Sequence, residues 1–208
     1  MSNKKVGLID YGAGNMRSVY KALSFLGADV TIITTPEKLN DFHSLVLPGV
    51  GAFADCSLSL RNQDLFQGVK DFTKTGKPFL GICVGYQILF EISEEFNSKE
   101  PGLSLFDGSV KKFPEKYGLK IPQIGWNQVS VMQKDCPLYS EIPDNSYFYF
   151  VHSYHPVPDD RTVVATTTDY GHKFASSVWK DNIMATQFHP EKSQRLGLKL
   201  LDNFLNID

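Results

Sequence analysis

The sequence predicts an α/β fold with a mixed, largely parallel central sheet flanked by helices, and with an antiparallel, β-rich second half. Two observations support this prediction. Before residue 101, short apolar runs alternate with segments whose apolar residues recur at helical spacing, a pattern typical of parallel strands joined by helices. After Pro101, short runs rich in β-branched and aromatic residues are separated by turns. With 208 residues, 42% of them hydrophobic, we expect one domain over residues 1–208.

The composition argues against several kinds of partner and cofactor. A formal charge of -2 gives no bulk attraction to nucleic acid or to an anionic membrane, so neither is expected as a partner. No apolar run approaches the length of a membrane span, and the first one is too short for a signal peptide. Cys56, Cys83 and Cys136 form no CxxC pair, which argues against a disulfide framework or a zinc site. We therefore expect a cytoplasmic protein with no metal and no other cofactor.

The first half of the chain divides into regular elements. Strands are predicted over 6–10, 29–34, 42–47 and 78–82, and helices over 16–26, 55–75 and 84–92. The turn Gly12-Ala13-Gly14-Asn15 resembles half of a dinucleotide-binding fingerprint, but the third glycine and an acidic residue closing the next strand are missing. A tight turn at the carboxyl edge of the sheet is the favoured interpretation. The polar residues 93–100 are interpreted as a solvated helix end.

The stretch Gly81-Ile82-Cys83-Val84-Gly85 joins a buried strand to a helix, with a cysteine at the apex. The flanking glycines permit the unusual backbone angles and the close packing that such a turn demands. A thiol at this position lies at a helix N-terminus, where unpaired N–H groups and the helix dipole favour the thiolate. Taken alone, the stretch fits an inert buried cysteine equally well.

A second glycine-rich stretch, Pro48-Gly49-Val50-Gly51-Ala52-Phe53, follows the third predicted strand. Its glycines leave backbone N–H groups free of side-chain cover, as an anion-binding loop requires. An ordinary turn explains the stretch equally well when it is considered alone.

The second half ends in a strand over 183–188, followed by His189-Pro190-Glu191 and a final helix from about residue 193. In extended chain, residues two apart lie on one side, so Glu191 could orient the His189 imidazole while its other nitrogen faces a thiol. The alternative is a surface turn. His152 and His155 could line a pocket, but neither has a carboxylate two residues away, and the sequence has no compact metal-ligand cluster.

Together, three motifs resemble class I glutamine amidotransferases, and the resemblance spans nearly the whole chain. The motifs are the oxyanion strand at 48–53, the nucleophile elbow at 81–87 and the His-x-Glu motif at 187–192. The resemblance implies Cys83 as nucleophile, His189 as its acid and base, and Glu191 as the residue that orients His189. It further implies backbone oxyanion donors at Gly51 and Val84, and contacts to the substrate glutamine from Gly49, Gln87, Glu95, Ser153 and Tyr154.

Within that class, segments 9–15, 122–127 and 150–154 resemble members that supply ammonia to a separate (β/α)8-barrel cyclase in histidine biosynthesis. This implies a heterodimer with the cyclase, which makes imidazole glycerol phosphate and AICAR. Its interface would include Pro122, Trp126, Asn127 and Lys192. Two residues depart from the usual pattern. Tyr86 replaces Met or Leu in the elbow, and Gln123 replaces His after Pro122.

Three other functions remain open at this point. The chain could serve as the glutaminase of another synthase, or as a cysteine hydrolase of peptides or γ-glutamyl compounds, since the same elbow and base would serve that chemistry. It could also be a regulatory module without catalytic activity. The intact set of Cys83, His189 and Glu191 argues against the last of these.

Overall fold

The computed structural model describes residues 4–12, 15–115 and 118–207. Its helices and strands alternate in the first half, and strands dominate from residue 108 onward. In chain order they are β1 (Lys5–Ile9), α1 (Met16–Phe25), β2 (Asp29–Ile33), β3 (Ser44–Gly49), α2 (Phe53–Asn62), α3 (Leu65–Thr73), β4 (Phe79–Cys83), α4 (Val84–Gln87), β5 (Ile92–Ser93), β6 (Gly108–Lys112), β7 (Gln123–Val131), β8 (Ser146–His152), β9 (Tyr154–Pro158), β10 (Val164–Asp169), β11 (Lys173–Lys180), β12 (Ile183–Thr186) and α5 (Gln194–Leu205).

Among the described residues, nine strands form one sheet in the order β2-β1-β3-β4-β12-β11-β10-β7-β8, and β5, β6 and β9 form a second, smaller sheet. The five strands from β2 to β12 pair in parallel, and the remaining neighbours in the large sheet pair antiparallel. This arrangement confirms the predicted fold class. That the whole chain forms one domain stays a prediction.

The centre of the parallel region carries the elements that matter for the site. Every residue of β3 and of β4 is buried, as expected for parallel strands covered on both faces. Their carboxyl ends lie side by side, with Gly49 in register with Cys83. The strand β12 pairs with the other side of β4, which brings the segment after residue 186 to the same edge of the sheet. Three separate motifs of the sequence therefore meet at one edge.

The prediction of one continuous helix over 55–75 is wrong, because the structure has two separate helices there, α2 and α3. The break falls at Asp64, whose φ of 57° lies in the left-handed region and cannot continue a right-handed helix. The Arg61 guanidinium lies 3.6 Å from the centre of the Phe66 ring and packs the two helices together across the break.

The predicted helix over 84–92 is also wrong, since α4 ends at Gln87. The next carbonyl groups are taken by a distant segment: Leu103 N–H donates to Ile88 O at 2.7 Å, and Gly102 N–H donates to Glu91 O at 2.8 Å. These bonds satisfy the backbone without a continued helix. Residues after 91 are accordingly not a solvated helix end, and they form β5 and a short 3-10 turn over Glu95–Asn97.

Two further segments singled out from the sequence are the turn after the first strand and residues 122–127. The predicted turn after the first strand includes Ala13 and Gly14, which lie outside the described residues. Residues 123–127 of the segment that carries the resemblance form the start of β7 and pair with β8. Across the described ranges, none of the helices has the length and apolar character needed to cross a membrane.

Candidate active site

The turn from β4 into α4 holds Cys83 in an unusual backbone conformation, with φ 57° and ψ -111°. The neighbouring backbones approach so closely that only glycine fits at two positions. A Cβ added at Gly49 would lie 2.6 Å from Gly85 N, and one added at Gly85 would overlap the carbonyl oxygen of Leu47. The glycines on either side of the elbow therefore allow β3 to pack against it, and they fix where the thiol points.

His189 and Glu191 form a buried hydrogen-bonded pair. The His189 Nδ1–H donates to Glu191 Oε1 at 2.8 Å, and both side chains are shielded from solvent. The expected extended geometry is wrong, because Pro190 begins a 3-10 turn over Pro190–Lys192 that carries Glu191 back toward the imidazole. With Nδ1 engaged by the carboxylate, Nε2 is left for the Cys83 thiol, which lines the same cavity and interacts electrostatically with the imidazole.

Backbone contacts fix the base in place. His189 N–H donates to Tyr149 O on β8 at 2.9 Å, and the Ser193 hydroxyl donates to His189 O at 2.6 Å. Burial by itself lowers the pKa of His189, but the interactions of its imidazole with Cys83 and with the Glu191 carboxylate outweigh it and raise the pKa to about 10. At neutral pH the imidazole is therefore protonated and faces the sulfur, ready to give its proton to a leaving group.

A cavity of about 270 Å³ opens above the Cys83 thiol. Its walls contain most of the residues predicted from the sequence, together with Pro122 and Lys192 from the predicted interface. The predicted chemical and substrate-binding residues on these walls are Gly51, Cys83, Val84, Gln87, Glu95, Ser153, Tyr154 and His189. Glu191 lies behind His189, and Gly49 pairs with Cys83 within the sheet. The structure therefore brings these residues together at one edge of the sheet.

Glu95 lies at the edge of this cavity. One of its carboxylate oxygens, Oε2, accepts the Phe53 N–H at 2.7 Å. Burial raises the pKa of Glu95, and the Phe53 N–H opposes that shift. The carboxylate therefore joins the start of α2 to the cavity wall.

Tyr11 and Cys56, for which the sequence predicted no role, bind backbone carbonyls of the glycine-rich stretch 48–51. The Tyr11 hydroxyl donates to Pro48 O at 2.8 Å, and the Cys56 thiol donates to Val50 O at 3.5 Å. Burial raises the pKa of Cys56 to about 11, so its sulfur keeps the proton that it donates. Gly51 at the end of this stretch has φ 97°, which favours glycine.

Gln187 is a third residue without a role predicted from the sequence, although it stands in the His-x-Glu motif at 187–192. Its side chain is fully buried, and its Nε2 lies 3.8 Å from Cys83 Sγ. Its Oε1 accepts from Gln87 Nε2 at 3.2 Å. The signal in the sequence is a polar amide that directly follows an otherwise apolar strand.

The predicted interface residues divide into two groups. Pro122 and Lys192 line the cavity, whereas Trp126 and Asn127 lie further along β7. Trp126 is 45% exposed and meets Tyr149 edge to face, with 5.9 Å between ring centres. Asn127 donates from Nδ2 to Asp169 O at 2.8 Å, a contact within the chain.

The two departures from the usual motif have different surroundings. The Tyr86 ring is fully buried in the core, and its hydroxyl donates to Ala175 O at 3.3 Å, away from the cavity. Gln123 is buried on β7 with its side-chain amide 3.0 Å from His152 Nε2. Because His152 lines the cavity, Gln123 adjoins the cavity wall through this contact.

The remaining histidines contact one another or the backbone. His155 and His172 approach through their Nε2 atoms at 3.1 Å, and His43 Nε2 lies 2.9 Å from Ile207 O. Within the part of the chain that the structure describes, no group of three or more His, Cys, Asp or Glu side chains is placed to hold a metal ion.

An elbow cysteine, a buried histidine–carboxylate pair and a glycine-rich stretch beside them define a class of enzyme that attacks its substrate through an activated thiol. The family model for class-I glutamine amidotransferases matches residues 7–207, and the chain belongs to this family. Solved structures agree at the level of the fold. PurLQS from Thermotoga maritima superposes with a TM-score of 0.80 at 19% identity, covering 98% of each chain.

Relatives with higher sequence identity show which subfamily of this class the chain belongs to. The imidazole glycerol phosphate synthase subunit HisH of Geobacter sulfurreducens is 45% identical, with 96% of this chain and 97% of the relative covered. The subunit of the same name from Syntrophotalea carbinolica is 46% identical, with 95% and 97% covered. Within the class, the chain therefore belongs to the HisH family. The resemblance stated from the sequence is confirmed.

The protonation of His189 provides a test of the site's electrostatics. In Cys83→Ala, we expect the pKa of His189 to fall from about 10 by roughly one to three units, because the negative sulfur that favours the imidazolium is gone. NMR titration of ring-labelled histidine measures the shift. Cys136→Ala, which removes another buried thiol, serves as the control and should leave His189 unchanged. An unchanged pKa of His189 in Cys83→Ala would show that the sulfur does not keep the imidazole protonated.

Proposed function

We propose that this chain is the glutaminase subunit of imidazole glycerol phosphate synthase. It hydrolyses glutamine to glutamate and ammonia, and it supplies the ammonia to a cyclase subunit that makes imidazole glycerol phosphate and AICAR in histidine biosynthesis. The observation that carries the proposal is the cavity above Cys83, in which the thiol and the His189 imidazole face the same space, with Glu191 bound to the imidazole from behind. The chain's 45% identity to subunits of that name over nearly their full length supports the choice of synthase.

In the proposed reaction, the Cys83 thiolate attacks the side-chain amide carbon of glutamine. A C–S bond forms, and the carbonyl π electrons move to oxygen. Backbone N–H groups of Val84 and Gly51 stabilise this oxyanion, a contribution typically worth about 2.7–4 kcal/mol per donor. When the intermediate collapses, the C–N bond breaks and ammonia leaves with a proton from His189. Water, deprotonated by His189, then cleaves the glutamyl thioester and releases glutamate.

The amino-acid end of glutamine would lie toward the outer wall of the cavity. There Glu95 provides a carboxylate for the ammonium group, and Ser153 and Tyr154 provide polar atoms at the junction of β8 and β9. Gln87 would contribute from α4 and Gly49 through its backbone beside the elbow. This orientation leaves the side-chain amide at the sulfur.

The partner surface would lie on the outer face of β7 and β8, next to the mouth of the cavity. Ile124, Trp126 and Tyr147 are 63%, 45% and 53% exposed there, an apolar patch of the kind found at protein interfaces. Pro122 and Lys192 connect this patch to the cavity. We propose that a (β/α)8-barrel cyclase docks on this patch to form a heterodimer, and that the complex is cytoplasmic.

Replacing the nucleophile tests the chemistry. Cys83→Ala should reduce glutamine hydrolysis to background, because no other described thiol lines the cavity, while the fold and binding of the cyclase persist. Ammonia release is measured by a coupled assay, with Cys136→Ala as a matched control that should stay active. The mutant complex should still make product when ammonia is supplied directly. Undiminished ammonia release by Cys83→Ala would refute the proposal.

The choice of partner has its own test. Trp126→Ala should weaken binding of the cyclase by about tenfold or more, as expected for a central aromatic anchor, and should lower the glutaminase rate in the complex. Calorimetry measures the affinity. Ile32→Ala is the control, since Ile32 is an exposed apolar residue on β2, at the opposite edge of the sheet from β8.

If the cyclase from the same organism neither binds nor changes the rate, the chain serves another synthase. Hydrolysis of γ-glutamyl peptides in preference to glutamine would favour the cysteine-hydrolase alternative.

A further inference from the structure

We propose that Gln187 is a positioning residue for the nucleophile, and that a chain of amides from Tyr154 through Gln87 and Gln187 to Cys83, here called the amide relay, holds the sulfur as a thiolate. The inference rests on the proposed function, because it assigns Cys83 the role of nucleophile. Gln187 lies between the last residue of β12 and His189, so one short segment carries both groups that face the sulfur.

The amide relay consists of three contacts. Gln87 Nε2 donates to the backbone carbonyl of Tyr154 at 3.0 Å and to Gln187 Oε1 at 3.2 Å. Gln187 Nε2 in turn lies 3.8 Å from Cys83 Sγ, within the range for a hydrogen bond to sulfur. The backbone of Gln187 is held as well, because its N–H donates to Ser176 O at 2.8 Å.

The direction of these bonds follows from the first one. A backbone carbonyl has no proton, so Gln87 must turn its NH2 group toward Tyr154. That NH2 group also reaches Gln187, which must therefore present its oxygen to Gln87. Since one end of the Gln187 amide is then fixed as the acceptor, its NH2 end faces Cys83. The carbonyl of Tyr154 thus determines, through two side chains, that the sulfur receives a donor.

This donor differs from His189 in what it does during the reaction. His189 gives its proton to the leaving ammonia, whereas an amide N–H keeps its proton at every pH of interest. Gln187 therefore favours the thiolate form of Cys83 without competing for the proton that catalysis moves. It also fixes the direction of the sulfur, because Gln187 is fully buried and no water replaces it.

The other groups around the sulfur do not supply this effect. Val151 O, 3.9 Å from Cys83 Sγ, can only accept a hydrogen bond and therefore favours the protonated thiol. Among the described residues, the titratable groups that interact electrostatically with Cys83 include His189, Tyr11 and Cys56, while Glu95, His152 and Lys192 line the same cavity. Burial raises the pKa of both Tyr11 and Cys56, the latter to about 11, so both remain neutral at physiological pH. The Cys56 thiol moreover donates to Val50 O, and the Tyr11 hydroxyl donates to Pro48 O.

The amide relay also joins the nucleophile to the substrate wall. Tyr154 and Gln87 both line the cavity, whereas Gln187 lies behind it. Movement of the β8–β9 junction on binding glutamine would therefore reach the sulfur through the three contacts of the amide relay. For this reason, loss of Gln187 should lower kcat more than it raises KM.

The experiment measures the sulfur directly, without glutamine. Iodoacetamide is allowed to react with the free enzyme across a pH range, and alkylation is quantified by mass spectrometry on the peptide that contains Cys83. Gln187→Met keeps the size of the side chain and removes the donor. Its alkylation midpoint should lie about one pH unit above that of the unaltered protein, in line with the loss of a hydrogen bond to an anion.

A matched control separates this effect from a general loss of packing. Thr186→Val removes a buried hydroxyl that donates to Phe188 O at 3.0 Å, one residue away and outside the amide relay. It should leave the midpoint unchanged. Gln187→Glu, which can accept from Gln87 but places a negative charge near the sulfur, should raise the midpoint at least as far as Gln187→Met. Thermal unfolding checks that each variant is folded.

Two results would overturn the proposal. One is an unchanged midpoint in folded Gln187→Met or folded Gln187→Glu, and the other is an equal shift in Thr186→Val. Neither depends on glutaminase activity, because alkylation reports only the state of Cys83. Failure of the proposed function would be seen separately, as ammonia release that persists in Cys83→Ala.

Discussion

The close packing of β3 against the elbow is the constraint on which the site depends. Cys83 adopts its positive φ at the end of a fully buried strand, and the backbone of β3 lies so close that Gly49 and Gly85 have no room for a side chain. A strained residue of this kind persists only when its surroundings fix it. Here the parallel pairing of β4 with both β3 and β12 does so, and the same pairing brings the other motifs to the thiol.

Around this constraint, the site is held largely by buried hydrogen bonds to backbone carbonyls. Tyr11 and Cys56 donate to carbonyls of the glycine-rich stretch 48–51. Ser193 donates to the carbonyl of His189, and Gln87 donates to a carbonyl at the junction of β8 and β9. Buried polar groups of this type are costly unless they are paired, so each bond selects one arrangement of the loops. The electrostatics follow from that arrangement, because burial lowers the pKa of the His189 imidazole and its contacts with Cys83 and Glu191 raise it.

The sequence predicted most of the fold because the parallel strands are apolar along their length and are separated by glycine and proline. It also predicted Gly51, Cys83, Val84 and His189, which line the cavity, since the three motifs follow strands whose carboxyl ends meet. Glu95, Ser153 and Tyr154 were implied only by the family resemblance. The end of α4 could not be predicted, because it depends on hydrogen bonds from Gly102 and Leu103 to carbonyls more than ten residues away. The place of Glu95 at the cavity depends on the same fold-back and on the N–H of Phe53.

The role of Gln187 could not be predicted from the sequence for a similar reason. Its partner sulfur is 104 residues away in the chain, and no local pattern distinguishes a buried amide that binds a thiol from one that serves packing. The break at Asp64 likewise reflects tertiary packing of two helices rather than a helix-breaking residue, since neither glycine nor proline stands there. Local patterns thus identify the elements and the motifs, while the contacts that tune the chemistry come from pairs distant in sequence.

The central claim is that the elbow presents Cys83 as the atom that takes the glutamyl group. The most direct measurement is to mix the enzyme with glutamine in the presence of the cyclase, quench with acid within a single turnover, and map the glutamyl group by mass spectrometry. The account predicts a glutamyl thioester on the peptide that contains Cys83, and none on Cys56 or Cys136. Ammonia released in that turnover with no glutamyl group on Cys83 would contradict it.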